Sequence, residues 1–339
     1  MRIGFAWPGP LASQAKAERR HQSATKGDWG DDVSGNRRAM SLGFAIVDAH
    51  QHFWDPTRNY HPWLNDEPPI PFRYGDYRSL RRPYLPPQYR ADAAPFEVSH
   101  SVYIETEWDP KDPVGEIGYV QALRAEHGLP SVAAAQAWLD RPDAGAVLDA
   151  LAAYPFVRGV RHKPRAHRAP GAAEPGGMTD PAWRAGFARL APLGLHFELQ
   201  TPWWHLHEAA RLAADFEGTA IVLNHTGLPA DRSAEGIAAW RRAMATLAPC
   251  PNVSVKISGI GVPGQPWTAE ANREIVLTTI DLFGTQRCMF ASNFPVDGLC
   301  GSFADIFGGF DAISRVCSDA ERRALFRDNA LRTYRIAET

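Results

Sequence analysis

Apolar positions recur along the chain with two different spacings. From Phe44 onward, short runs rich in β-branched and aromatic residues alternate with Ala-rich stretches that carry apolar residues at helical spacing. Strands are predicted at 44–50, 98–105, 131–138, 157–163, 195–200, 219–225, 252–258 and 287–293. Helices are predicted at 113–127, 142–153, 181–191, 204–215, 233–248, 269–283 and 319–333. This alternation is typical of βα units around a parallel sheet.

The number of βα units predicts a single (β/α)8 TIM barrel, an α/β fold, over residues 44–336. Residues 1–43 are mostly polar and show no sustained apolar period, so we expect a disordered N-terminal extension. The segment 55–97 is rich in Pro, Tyr, Trp and Arg and has no clear period. A connection this long is usually functional. We therefore expect a long loop after strand 1 that folds over the barrel mouth, with a short helix near 86–91.

The composition of the chain limits the classes of binding partner that we expect. The formal net charge of −2 over 339 residues offers no basic surface for nucleic acid or an anionic membrane, so a small-molecule substrate is expected. No run of about 18 apolar residues predicts a membrane span. The four cysteines form no CxxC pair, which is typical of reduced thiols and predicts a cytoplasmic location. The sequence leaves the oligomeric state open.

Most of the predicted strands end in residues that can bind or titrate. In a barrel the C-terminal strand ends converge on one rim, where barrel enzymes place their active sites. The residues at these ends are His50 and His52, Glu105, His162 and Lys163, Gln200, His225, Lys256 and Ser258, and Asn293.

His50 and His52 are two residues apart on the first predicted strand, so their side chains point to the same face, which we expect to be the inside of the barrel. Two imidazoles placed in this way can share one metal ion or one substrate oxygen. Histidines at this spacing also occur by chance in protein cores. His225, at the end of another predicted strand, makes chance a weaker explanation.

Several segments together resemble the amidohydrolase-related superfamily (amidohydrolase 2), and most closely its lactonase branch. The resemblance extends over about residues 44–335, in the same order and at similar spacing as in the family. The segments are VDAHQHFWD at 47–55, RGVRH at 158–162, LNHTGLP at 223–229, VSVKISG at 253–259 and RCMFASNFPVD at 287–297.

The resemblance implies a hydrolase barrel in which His50, His52 and His225 face the substrate. Some members use a divalent metal, so it also implies one Zn or Mn ion held by His50 and His52, or metal-independent action as in part of the lactonase branch. The fifth-strand position that is a histidine in many metal-dependent members is Gln200 here. An amide oxygen binds zinc less well than an imidazole does.

The eighth strand departs from the family pattern. Members usually carry an aspartate that accepts a proton from the attacking water, whereas this chain has Asn293 in ASNFPVD. A neutral amide cannot act as a general base. Asp297, His225 and Glu105 are the candidates that remain for this task.

Cations near the rim indicate what is bound. Arg161 and Lys163 alternate along strand four, so both can face inward while His162 faces the helices, and Lys256 adds a third positive group. These cations either bind a carboxylate-bearing or polyhydroxylated lactone or form salt bridges with Glu105 or Glu198. Trp54, after strand one, is the aromatic residue that we expect at the pocket mouth.

The leading hypothesis is a hydrolase that opens a sugar-acid or dicarboxylate lactone by means of activated water. In this scheme His52 and His225, or a metal that they hold, polarise the lactone carbonyl. Two alternatives stay open. One is a metal-dependent decarboxylase of the same superfamily, and the other is a catalytically degenerate barrel that binds a ligand without turnover.

Overall fold

The computed structural model describes residues 42–172 and 174–338. Residues 1–41, which include most of the predicted extension, lie outside the described residues. The eight strands form one parallel sheet in the order β1 to β8. They are Ile46–Gln51 (β1), Val98–Ile104 (β2), Val132–Gln136 (β3), Val157–Arg161 (β4), His196–Leu199 (β5), Ile221–Leu223 (β6), Val253–Ile257 (β7) and Cys288–Phe290 (β8). Each overlaps its predicted range.

The barrel is completed where β8 returns beside β1. The His52 N–H donates to the Phe294 carbonyl at 2.8 Å, and the Asn293 N–H donates to the His50 carbonyl at 2.8 Å. These bonds lie at the C-terminal ends of both strands. They confirm the predicted (β/α)8 barrel and bring the first-strand histidines next to Asn293.

Helices lie between the strands and after the last one. They are Pro62–Asn65 (α1), Pro86–Ala93 (α2), Gly115–His127 (α3), Ala144–Ala152 (α4), Pro181–Phe187 (α5), Leu206–Asp215 (α6), Ala234–Leu247 (α7), Ala269–Phe283 (α8), Phe303–Ser314 (α9), Asp319–Arg323 (α10) and Asn329–Tyr334 (α11). The predicted helix at 319–333 corresponds to α10 and α11, which are joined by a π-helical turn at Ala324–Asp328. No helix in the described ranges is long and apolar enough to cross a membrane.

The helix α9 was not predicted. Its first turn is stabilised by a capping box, in which the Ser302 hydroxyl accepts from the Asp305 N–H and the Asp305 carboxylate accepts from the Ser302 N–H. Phe303, Phe307 and Phe310 are buried on its inner face. This spacing of three to four residues is a helical signal that sequence reasoning could have used.

The segment after β1 covers the barrel mouth, as predicted. It contains α1 and α2, and α2 includes the short helix expected near 86–91. Trp63, Phe72 and Arg73 from this segment line the pocket at the C-terminal end of the barrel. The loop therefore supplies one wall of the candidate site.

Apolar side chains fill most of the barrel interior, and the C-terminal helix closes its other end. Tyr334 of α11 is fully buried and donates to Glu198 at 2.6 Å. Glu198 also forms an ion pair with Lys256 at 2.8 Å. The interior thus holds a compensated pair of charges below the pocket.

Candidate active site

Three histidines meet at the C-terminal end of the barrel. The ring centroids of His50 and His52 are 4.9 Å apart, and those of His50 and His225 are 4.6 Å apart. All three side chains are buried. The structure therefore brings together the histidines that the sequence analysis selected.

His225 follows β6 in a turn of left-handed backbone. The φ angles of His225, Thr226 and Leu228 are 55°, 50° and 59°, and Gly227 has a φ of 68°. Left-handed conformations are uncommon for residues other than glycine, and a β-branched threonine rarely adopts one. Such backbone costs on the order of 1–3 kcal/mol per residue and clusters at functional sites. Asn293, with a φ of 55°, shows the same feature at the end of β8.

The three histidines are uncharged at neutral pH. Burial and the charge of Arg161 lower the pKa of His52 to about 3. Burial, together with nearby positive charge, holds the pKa of His50 and His225 well below the ordinary value of 6.5. The cation with the largest effect is Lys256 for His50 and Arg73 for His225. Neutral imidazoles can accept a proton or bind a metal ion.

Hydrogen bonds fix the tautomer of His52 and the orientation of Asn293. His52 Nδ1 lies 2.8 Å from the Ile104 carbonyl, which can only accept, so Nδ1 carries the proton and Nε2 a lone pair. Asn293 Nδ2 donates to Asp297 Oδ1 at 2.6 Å, which turns Asn293 Oδ1 toward His52 Nε2 at 3.3 Å. Two acceptor atoms therefore face each other beside the pocket.

The predicted general-base candidates occupy different surroundings. Asp297 does not line the pocket: it lies behind Asn293, and its Oδ1 also accepts from Tyr74 at 2.9 Å. Glu105 lines the pocket, but it pairs with Arg161 and accepts from the Glu107 N–H at 2.6 Å. His225 Nδ1 lies 2.9 Å from the Ser258 hydroxyl, which leaves Nε2 for the pocket. His225 is the least engaged of the three.

Two of the three predicted rim cations, Arg161 and Lys163, are in the pocket, and each is already paired. Arg161 forms a buried ion pair with Glu105 and donates to Gln200 at 3.1 Å, and Lys163 forms an ion pair with Glu107. All five residues line the pocket. His162 faces the helices as expected, where its Nδ1 accepts from Trp183. The salt bridge expected between Arg161 and Glu105 is therefore observed, and binding of a lactone by these cations stays a prediction.

Lys256 does not line the pocket. Its ammonium pairs with Glu198 inside the barrel and lies 5.1 Å from the centre of the Tyr334 ring. The prediction that Lys256 binds substrate has no support from these contacts. Strand alternation indicated correctly that the side chain points inward, but gave no information about its depth.

Aromatic side chains form part of the pocket wall. Trp54, Trp63 and Phe72 line it, and Trp54 lies over the His52 ring with 6.1 Å between ring centroids. The Trp54 indole N–H donates to Leu80 O at 3.0 Å, so Trp54 offers a ring face and no donor. The wall suits an apolar face of a ligand.

Sequence reasoning missed Arg73 and Glu107. Both line the pocket, and both come from segments without a regular period. Arg73 lies in the loop between α1 and α2, and Glu107 has a left-handed φ of 53° just after β2. Arginines in the long loop were visible in the sequence, but no pattern indicated which of them would turn inward.

The histidine cluster was also compared with the requirements of a metal ion. No three His, Cys, Asp or Glu side chains among the described residues are arranged to hold one. However, both ring nitrogens of His50 are buried without a hydrogen-bond partner in the described part of the chain. His52 Nε2 and Asn293 Oδ1, 3.3 Å apart, have about the separation of two ligands on one tetrahedral zinc ion. Because the oxygen is an amide and not a carboxylate, these atoms fit a weakly held divalent ion.

Comparison with known proteins identifies the family. The sequence profile of the amidohydrolase family matches residues 47–336. The chain belongs to the amidohydrolase family. This result confirms the resemblance read from the strand-end motifs, and it places the histidines of this amidohydrolase, with Asn293, inside the matched region.

Two relatives align over most of the chain. The uncharacterized protein y4mH of Sinorhizobium fredii is 40% identical over 296 residues, which are 86% of this chain and 99% of the relative. An L-fucono-1,5-lactonase of Burkholderia ambifaria is 27% identical over 298 residues, which are 86% of this chain and 95% of the relative. This amidohydrolase is therefore similar in length and sequence to proteins that include a lactonase.

Solved structures of related proteins share the fold. An amidohydrolase from Burkholderia multivorans with bound Zn has a TM-score of 0.69 at 23% identity, covering 87% of this chain and 100% of its own. A 5-carboxyvanillate decarboxylase from Novosphingobium aromaticivorans with bound manganese has a TM-score of 0.60 at 12% identity, covering 87% and 98%. At these identities the likeness shows the barrel alone. Both of these relatives hold a divalent metal.

Proposed function

We propose that this amidohydrolase is a lactonase that opens a neutral sugar-acid lactone by adding water across its ester bond. The observation that carries the proposal is His225, a neutral imidazole that lines the same pocket as Arg161 and Lys163. The similarity to an L-fucono-1,5-lactonase supports it. A proton acceptor and fixed positive charge are what hydrolysis of an ester by water requires.

His225 is the general base in this proposal. When Nδ1 donates its proton to the Ser258 hydroxyl, 2.9 Å away, Nε2 has the lone pair that takes a proton from water. The water oxygen bonds to the lactone carbonyl carbon, and the ring C–O bond then breaks. The ring oxygen leaves with the proton held by His225. The product acid then ionises, so each turnover releases one proton.

A divalent ion, when bound by His50, His52 and Asn293, would polarise the lactone carbonyl as a Lewis acid. The chain's own residues serve other tasks. Trp54 and Trp63 bind one face of the ring and exclude water from it. Asn293 and Gln200 orient substrate hydroxyl groups or water through their amides.

Two of the three cations that line the pocket are paired with acids of the same pocket, which favours a neutral lactone over a dicarboxylate lactone. Glu105 and Glu107 already neutralise Arg161 and Lys163. A substrate with two further carboxylates would have to displace these acids, which lie in the same pocket. Sugar hydroxyls can instead donate to the acids and accept from the cations.

A pH-indicator assay of proton release tests the function. The purified protein is given a panel of neutral sugar-acid lactones and dicarboxylate lactones, before and after treatment with a chelator. We expect acid release with at least one neutral lactone and a slower or no response to dicarboxylates. Loss of activity on chelation, with recovery on adding zinc or manganese, would assign the carbonyl polarisation to the metal. Absence of acid release across the panel, or release of carbon dioxide from an aromatic acid, would contradict the proposal.

A further inference from the structure

We propose that Arg73 is a further catalytic residue, whose guanidinium binds the substrate oxygen that becomes negatively charged during ring opening. The inference rests on the proposed lactonase function for the identity of that oxygen. The assignment of Arg73 as the oxyanion-binding cation of this pocket does not depend on which reaction occurs.

The loop between α1 and α2 carries Arg73 into the pocket. Its Nη1 donates to the Gly259 carbonyl at 2.8 Å, and its Nη2 lies 3.3 Å from Asp297 Oδ1. The guanidinium also stacks on the Tyr74 ring, 4.4 Å from the ring centre. These contacts hold the side chain while 13% of it stays exposed, and it lines the pocket. A guanidinium has five N–H donors, so donors remain for a ligand.

Arg73 lies beside His225. A side-chain carbon added at Gly259 would be 2.4 Å from His225 Nδ1 and 2.8 Å from Arg73 Nη2. Real contacts this short do not occur, so Gly259 is what allows the two side chains to approach each other. The charge of Arg73 also helps to lower the pKa of His225. Arg73 therefore lies near the Nδ1 side of His225 and lines the same pocket as that residue.

The other two pocket cations are more fully neutralised. Arg161 is only 4% exposed, and Glu105 and Gln200 take donors from all three of its nitrogens. Lys163 has a single ammonium, which Glu107 holds. Asp297, the acid nearest to Arg73, shares Oδ1 with two shorter hydrogen bonds, from Asn293 at 2.6 Å and Tyr74 at 2.9 Å. The ion pair of Arg73 with Asp297, at 3.3 Å, is therefore longer than the ion pairs that hold Arg161 and Lys163.

Two neutral groups beside the pocket, His52 and Asn293, do not supply this function. His52 has its proton on Nδ1, where the Ile104 carbonyl accepts it, so Nε2 has none to donate to a substrate oxygen. Asn293 donates through Nδ2 to Asp297. As water attacks the lactone carbon, the carbonyl π electrons move to the carbonyl oxygen. A fixed guanidinium stabilises that charge until the ring C–O bond breaks and the electrons return.

Kinetics of Arg73 variants test the catalytic role. We expect Arg73→Met to lower kcat by about 10²–10³-fold, which is the effect of removing one oxyanion donor. Arg73→Lys should recover part of this loss, and added guanidinium chloride in the millimolar range should raise the rate of Arg73→Ala. Arg78→Met is the control, because Arg78 is in the same loop but is 70% exposed and pairs with Asp76. An unchanged kcat in Arg73→Met, or a loss equal to that of the control, would overturn the proposal.

Binding of inorganic phosphate tests the same residue without turnover. We expect calorimetry to show that Arg73→Met binds phosphate at least tenfold more weakly than the wild type and Arg78→Met, with thermal melts confirming that all three are folded. Equal affinities, or no binding to the wild type, would overturn the assignment of Arg73. A wild type that opens no lactone but shows this difference in phosphate affinity would contradict the proposed function and support Arg73.

Discussion

The side-chain oxygen of Asn293 lies 3.3 Å from Nε2 of His52, and neither atom has a hydrogen to donate to the other. Asp297 fixes the amide from one side and the Ile104 carbonyl fixes the imidazole from the other. Facing acceptors of this kind need a donor or a cation between them. The pair therefore offers two acceptor atoms to one donor or one cation.

Replacing Asn293 with aspartate should make metal binding tighter. In Asn293→Asp the new acid lies next to Asp297 and His52, so the metal-free protein gains repulsion between two buried carboxylates. We expect a lower Tm without metal and a rise in Tm on adding zinc that is larger than in the wild type. Differential scanning fluorimetry with and without zinc, and zinc content after dialysis, measure this.

Asn293→Gly is the matched control, because glycine accepts the left-handed φ of 55° and carries no ligand oxygen. We expect it to hold less zinc than the wild type. Equal zinc-dependent shifts in Asn293→Asp and Asn293→Gly would show that residue 293 is not part of a metal site.

Gly259 offers a test of the approach between Arg73 and His225. Gly259 and Gly264 have similar φ angles, 60° and 69°, but an added Cβ meets His225 and Arg73 at Gly259 and nothing within 4 Å at Gly264. Both alanine variants carry the backbone cost of about 1–2 kcal/mol. We expect Gly259→Ala alone to lose at least tenfold in kcat/KM, measured with a hydrolysed lactone. Similar activities would mean that the two side chains need not lie together.

Stability should fall as pH rises through the titration of Glu116. Burial and the charge of Glu105 raise the pKa of this carboxyl to about 7 from its ordinary value of 4.5, and its Oε2 is buried without a partner in the described residues. A raised pKa in the folded state means that stability present below pH 4.5 is lost as the pH passes 7. The loss is on the order of 3 kcal/mol.

Glu116→Gln should remove most of this pH dependence, since the amide keeps an acceptor for Thr106 and cannot ionise. Urea unfolding at pH 5 and pH 8 measures it. Glu126→Gln is the control, because Glu126 is 73% exposed. The same change in free energy of unfolding in wild type and Glu116→Gln would show that Glu116 does not titrate in this range.

The barrel could be predicted because its strands repeat a local signal. Runs such as 253–258 and 287–293 combine β-branched or apolar residues with a polar residue at the C-terminal end, and strand ends converge in any parallel barrel. The same logic brought His50, His52 and His225 together correctly. Strand β6 ends earlier than predicted because the chain turns into left-handed backbone at His225.

The positions of other site residues could not be predicted, because they depend on contacts that no repeating sequence pattern indicates. Asp297 was expected in the pocket, but the turn after Asn293 places it behind that residue. Arg73 was missed because an irregular loop has no repeating pattern that assigns an inner face. Lys256 points inward, but Glu198 holds it below the pocket. These positions are set by ion pairs between distant segments.

The most direct test of the account compares two histidine variants on a lactone that the wild type opens. His225 lines the pocket, whereas His100 lies at the start of β2, at the opposite end of the barrel. We predict that His225→Ala lowers the rate of acid release by at least about 10²-fold, the typical contribution of a general base. His100→Ala should keep the wild-type rate. Equal rates in the two variants would contradict the assignment of the active site.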